Sequence, residues 1–223
     1  MKRLVLLAAF CGVLCGLAWA GHAQDTGGGT VTGSIQVQQA RVKTGGPKSF
    51  KDVVVHLKPV GAHTYPSPTT HAVMDQRGLV FLPHVMAVQS GTTIDFLNSD
   101  HDRHNVYFLF EETGQTLDIG TWGPGQRVSH TFARPGLVIT LCQLHLEMAA
   151  YILVLESPFF TLAELDEKTQ QAAYAISGVP PGDYILEAWH KKLKMKGAAP
   201  TVTVAAGRPT TADIVITRKK YAK

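Results

Sequence analysis

Short apolar runs, cut apart by Gly, Pro and polar clusters, give most of this chain the texture of strand, turn, strand. Residues 31–37 alternate weakly between apolar and polar, and 52–57 are densely β-branched, so a strand is expected in each. The polar stretch Lys43-Thr44-Gly45-Gly46-Pro47 separates them, and residues 61–71, rich in Pro, Thr and His, read as a loop. Further strands are expected at 79–85, 92–97, 106–110, 136–141 and 149–155, with turns at Ser90-Gly91 and across 120–125. Phe81, Val85, Ile94 and Phe96 are the expected core of this middle region. Thr161-Leu162-Ala163-Glu164 has the form of a capping box, which predicts a short helix over 162–171. The remainder, 173–176, 184–190, 201–204 and 213–216, returns to strands around the turn Gly178-Val179-Pro180-Pro181-Gly182. The expected class is all-β.

One loop between two of these strands carries chemistry. Cys142, His145 and Met148 are spaced Cys-x2-His-x2-Met between the apolar runs 136–141 and 149–155. A short loop between rigid strands can aim thiolate, imidazole and thioether at one point. The upstream segment Asn98-Ser99-Asp100-His101-Asp102-Arg103-His104 offers a second imidazole. His104 is preferred over His101 because it directly precedes the strand beginning Asn105-Val106, whereas His101 lies among charged residues. Two His, one Cys and a weak axial Met suit a blue-copper electron-transfer site. Zinc would accept the Cys and both His, but a thioether is a poor fourth ligand for it.

Cysteine usage supports a metal thiolate. Met1-Lys2-Arg3 followed by an apolar run and Ala18-Trp19-Ala20 reads as a signal peptide over 1–23, cleaved after residue 20 or 23, with 24–30 a flexible leader. Cys11 and Cys15 fall in the leader, so Cys142 is alone in the exported chain. Nothing later in the chain is long and apolar enough to span a membrane. Without Lys2 and Arg3, 19 basic residues face 17 acidic ones, a balance that argues against nucleic acid. The basic residues concentrate in the runs 191–196 and 218–223, read as solvated surface and a basic tail. His56, His63 and His71 are read as surface or loop histidines, His84 as a packed strand histidine, and His130 as a strand histidine without a ligand partner.

Residues 72–155 resemble the cupredoxins, amicyanin and plastocyanin among them. The resemblance rests on Asn98…His104-Asn105, Gly125-Gln126-Arg127-Val128 through Thr131-Phe132, Pro135-Gly136, and Cys142…His145…Met148. The short ligand loop is most similar to that of amicyanin, although Gln143 and Leu146 stand where many relatives carry Asn and Pro. The resemblance implies a Greek-key β-barrel or sandwich over 70–156 holding one type 1 copper ion through His104, Cys142, His145 and Met148. It also implies that Asn105 bonds across to the ligand loop. The expected function is periplasmic one-electron transfer, without enzymatic activity of its own. Its partner would be a transient redox protein, such as a c-type cytochrome or a periplasmic dehydrogenase. Leu144 and Leu146 would form the contact patch, with Asp100, Asp102 and Glu147 steering a basic partner. Copper storage or delivery, or small-molecule redox chemistry at the copper, are the alternatives.

A second resemblance covers the end of the chain. Val179-Pro180-Pro181-Gly182-Asp183-Tyr184 is similar to the turn of carboxypeptidase regulatory-like (transthyretin-like) sandwiches, expected here over 157–217. That family opens on a Thr-Gly-x-Ile/Val strand and a dense Val run, which Thr32-Gly33-Ser34-Ile35 and Val53-Val54-Val55 resemble. Residues 31–60 therefore belong either to this sandwich, split by the cupredoxin-like segment, or to an extended barrel.

Overall fold

The computed structural model describes residues 27–38 and 50–219; the expected signal peptide, residues 24–26 of the expected flexible leader and residues 220–223 of the expected basic tail lie outside them, whereas Gly29 and Thr30, expected in that leader, are already part of the first strand. Every regular element among the described residues is a strand. In chain order, β1 (Gly29–Gln38) and β2 (Phe50–Pro59) come first. They are followed by β3 (Ala72–Gln76), β4 (Phe81–Leu82), β5 (Val85–Gln89), β6 (Thr92–Asn98) and β7 (His104–Phe110). Next come β8 (Thr116–Trp122), β9 (Arg127–Phe132), β10 (Gly136–Leu141) and β11 (Ala149–Leu155). The chain closes with β12 (Phe160–Leu165), β13 (Gln171–Val179), β14 (Gly182–Trp189), β15 (Leu193–Met195), β16 (Thr201–Val204), β17 (Pro209–Thr211) and β18 (Ile214–Arg218).

These strands form four sheets packed as two sandwiches. One pairs the sheet β5-β11-β10-β7-β8 with the sheet β4-β3-β6-β9. Their inner faces supply a core that includes Met74, Phe81, Ile94, Phe96, Phe108, Val138 and Ile152, all essentially buried. Alternation along β6 is the physical reason: Ile94 and Phe96 turn in while Thr93 and Leu97 are only half-buried. The other sandwich pairs β13-β1-β18-β15 (with β17 alongside β1) and β12-β2-β14-β16. Its core draws on both ends of the chain, for example Val31, Ile35, Val53 and Leu57 against Ile176, Tyr184, Leu186 and Ile216. Strand β1 lies between β13 and β18, and β2 lies between β12 and β14, so the two N-terminal strands are interior strands of these sheets. A third apolar cluster of Val54, Val85, Ala87, Leu153 and Leu155, with Trp189 and Tyr151 against it, joins the two sandwiches.

Three sequence expectations change. Residues 162–171 are not helical: β12 runs to Leu165 and a turn leads into β13. Ala163 and Leu165 point in and Leu162 and Glu164 out, so the period is two and the capping-box pattern has no helix to start. Asp166 instead caps the turn, its Oδ1 accepting from the N–H groups of Lys168 (3.0 Å) and Thr169 (2.7 Å). The single strand expected over 79–85 is two short ones in different sheets, β4 and β5, with Pro83 and His84 at the crossing. Proline has no N–H for a ladder, which favours a break there. Val85 consequently packs in the joining cluster rather than in the core with Phe81, Ile94 and Phe96.

Candidate metal centre

The Cys142–Met148 loop bridges β10 and β11, whose last ladder pair is Leu141 opposite Ala149. Its own backbone closes it: Met148 N–H donates to His145 C=O (3.0 Å) and Cys142 N–H to Met148 C=O (3.3 Å). Cys142 and Met148 are buried in the same apolar core, while His145 is half-buried and Leu144 and Leu146 stand out at 54% and 88% exposure. His104, first residue of β7, is fully buried and lies opposite Trp122 of β8.

The donor atoms converge. His104 Nδ1 lies 3.1 Å from His145 Nδ1, and His145 Nδ1 lies 3.8 Å from Cys142 Sγ. One ligand atom from each residue falls within 4.8 Å of the others. Metal–nitrogen bonds of about 2.0 Å and metal–sulfur bonds of about 2.3 Å span edges of this size. The protonation of His104 is fixed from behind. Its Nε2 lies 2.9 Å from Asp100 Oδ2, which can only accept, so Nε2 carries the proton and Nδ1 presents a lone pair to the cluster. The His104 lone pair thus faces His145 Nδ1 and Cys142 Sγ, an arrangement that one shared cation would satisfy. The donor set therefore fits a soft transition metal.

Asp100 was expected to face a partner, yet its carboxylate turns inward. It accepts from Gly78 N–H (2.6 Å) and Leu79 N–H (3.0 Å) as well as His104. Burial pushes its pKa up, but these donors outweigh that and hold it below the ordinary carboxylate value. The available signal was an acid four residues before His104, close enough to fold back on the ring. Asn98 shapes the turn between them: its Nδ2 donates to the carbonyls of Asp102 (2.8 Å) and Trp122 (3.1 Å), and its Oδ1 accepts from Asp100 N–H (2.9 Å). Asn105 Oδ1 accepts from Gln143 N–H (3.3 Å), and its Nδ2 donates to Asp118 Oδ1 (2.9 Å) and Gly120 C=O (3.0 Å). It ties the Cys142–Met148 loop to β7 and β8.

The other histidines among the described residues stand apart from the cluster. His101 is exposed, as are Asp102 and Glu147. His71 meets Asp95 (2.9 Å), His63 the Val60 carbonyl (3.3 Å), and His130 packs against Phe108 and Phe132. His56 is not a surface residue: burial first, then the charge of Lys58, pushes its pKa down to about 4, although Glu187 lies 3.7 Å away. His84 lies outside the strands and meets Lys191 Nζ.

No family model matches the chain, and no curated protein matches it. Among solved structures it is similar to an oxidized amicyanin variant, at 24% identity over 38% of this chain and 81% of that one, with a TM-score of 0.35. It is also similar to a copper-containing nitrite reductase from Thermus scotoductus, at 25% identity over 45% of this chain and 26% of that one (TM-score 0.38). A purple cupredoxin from Nitrosopumilus maritimus matches at 19% identity over 37% of this chain and 98% of that one (TM-score 0.34).

Proposed function

We propose that this chain is a type 1 copper protein that carries single electrons between redox partners in the periplasm. His104, Cys142 and His145 would hold the ion, with Met148 as the weak axial ligand. The observation that supports this most is the meeting of His104 Nδ1, His145 Nδ1 and Cys142 Sγ on the dry side of a strand-anchored loop. Bound copper would supply a one-electron couple tuned by the axial sulfur. The protein's part is positional. Asp100 keeps the proton on His104 Nε2, Asn105 holds the loop in place, and the buried aromatic core keeps water out.

Partner access is through His145, the least buried of the three donors, with Leu144 and Leu146 beside it. Two exposed leucines around one imidazole edge suit the small, transient interfaces of redox encounters. Asp102 and Glu147, both exposed, remain as steering charges toward a basic partner such as a c-type cytochrome or a dehydrogenase. In this reading the chain is a carrier rather than an enzyme. Residues 70–156 form the copper unit, and 31–60 with 157–217 form a carboxypeptidase regulatory-like sandwich, as the sheet memberships of β1 and β2 support. The test is the optical spectrum of the copper-loaded protein. An intense visible band, lost in Cys142→Ser while the far-ultraviolet circular dichroism stays, is expected. Tight cuprous binding without such a band, and with ready transfer to an acceptor, would replace the carrier with a delivery protein.

A further inference from the structure

The two basic runs, read from the sequence as solvated surface, meet at one cavity. Antiparallel pairing of β15 with β18 sets Leu193 opposite Arg218, and Lys219 N–H donates to the Lys192 carbonyl at 3.0 Å. A cavity of about 420 Å³ lies where the two sandwiches meet, lined by Lys51, Lys191, Lys192, Arg218 and Lys219. Asp52 is its one carboxylate among the described residues. Its size falls within the range of small-molecule sites.

We propose that this cavity binds a small multivalent oxyanion of the phosphate class. The cations differ in what already occupies them. Lys51 is paired with Glu164 at 3.1 Å, and Lys191 reaches His84 Nε2 (2.5 Å) and the Tyr151 ring. Lys192, Arg218 and Lys219 have no carboxylate partner among the described residues. Arg218 lies over the Phe50 ring and Lys219 over the Trp189 ring, at 5.6 Å and 5.9 Å from the centroids. Ring contact orders both side chains while leaving their N–H donors for an anion. His190 adds a neutral donor. Burial first, then Lys191, Lys192 and Lys219, hold its pKa at about 4, and its Nδ1 accepts from Lys192 N–H (3.0 Å). The ring proton is thus on Nε2, and His190 is among the residues that line the cavity. Crowded cations around a partly apolar hollow repel one another, and a multivalent anion relieves that repulsion while meeting several fixed donors.

The test is calorimetric titration of the full chain with inorganic phosphate and with pyrophosphate, in chloride buffer at constant ionic strength. Saturable binding of one equivalent is expected, tighter for pyrophosphate. Lys192→Gln with Arg218→Gln should weaken it about tenfold or more, and Lys58→Gln, which loses a distant pair with Glu156, should not. Amide shifts on adding pyrophosphate to the unaltered protein should centre on residues 190–192 and 218–219, a readout that needs no variant. Absence of saturation, equal weakening by Lys58→Gln, or shifts spread over the surface would overturn the proposal. Binding to phosphatidylglycerol vesicles without binding of pyrophosphate would overturn it in favour of a membrane surface.

Discussion

Single side chains decide most of the chemistry proposed here. Met148 is buried against the core, and Leu fills nearly the same volume, so Met148→Leu should cost less than about 1.5 kcal/mol of stability. Removing a weak thioether donor disfavours the oxidised ion, so the reduction potential of the copper-loaded variant should rise. Voltammetry on both proteins checks this, and an unchanged potential would remove Met148 from the ligand set. His56 gives a separate prediction. Its folded pKa of about 4 lies below the ordinary 6.5, so the unfolded chain takes up the proton first as pH falls. The stability due to neutral His56 is complete above pH 6.5 and is lost progressively toward pH 4. Urea midpoints of the metal-free protein should fall across that window, with a shallower slope in His56→Phe. Carboxylates such as Asp95 and Asp213, whose pKa values are lowered, add their loss only further into acid.

Strand by strand, the fold depends on close backbone approaches as much as on apolar patterning. Gly33 sits in β1 where an added Cβ would fall 1.7 Å from the Ala212 carbonyl oxygen and 2.9 Å from the Tyr174 ring. Tyr174 O–H also donates to that carbonyl, and Ala212 N–H donates to Thr32 C=O. A side chain at residue 33 must push β1 off the chain entering β18. Gly33→Val should therefore destabilise the protein by about 3 kcal/mol or more, at the upper end of overpacking costs. Thermal melts should show it, while a visible copper band in the protein that remains folded should keep its wavelength.

For the molecule as a whole, the order of strands in the sheets carries the main consequence. Because β1 and β2 are interior strands, a fragment of residues 157–223 has two gaps in its sheets and lacks Val31, Ile35, Val53 and Leu57 from its core. That fragment should be unfolded or aggregated, since unpaired strand edges invite association. Adding residues 27–60 through a Gly/Ser linker should restore it. Residues 70–156 hold both sheets of the other core and all four proposed ligands, so this fragment should fold and take up copper unaided. Amide dispersion in proton–nitrogen spectra distinguishes the outcomes, and a well-dispersed spectrum from 157–223 alone would refute the interior role of β1 and β2.

The all-β class, most strand positions, and the pairing of Cys142 and His145 in one loop were legible in the chain itself. All of these depend on local chemistry: a period of two, turn residues, and donors a few residues apart. The helix expected over 162–171 failed for a local reason too: the alternation of Ala163 and Leu165 outweighed a four-residue capping pattern. Apart from the meeting of His104 and Asn105 with the Cys142–Met148 loop, which a family resemblance implied, what depended on contacts between distant residues was not legible. The sequence left β1 and β2 with two possible homes, because either sandwich could accept a β-branched strand. Asp100 could be read as a surface charge until the Gly78-Leu79 turn and His104 closed around it. The two basic runs are more than twenty residues apart and became one cavity wall only when β15 paired with β18. Local patterning specifies which segments are strands and which faces are apolar; long-range pairing alone decides which charges and donors end up facing one another.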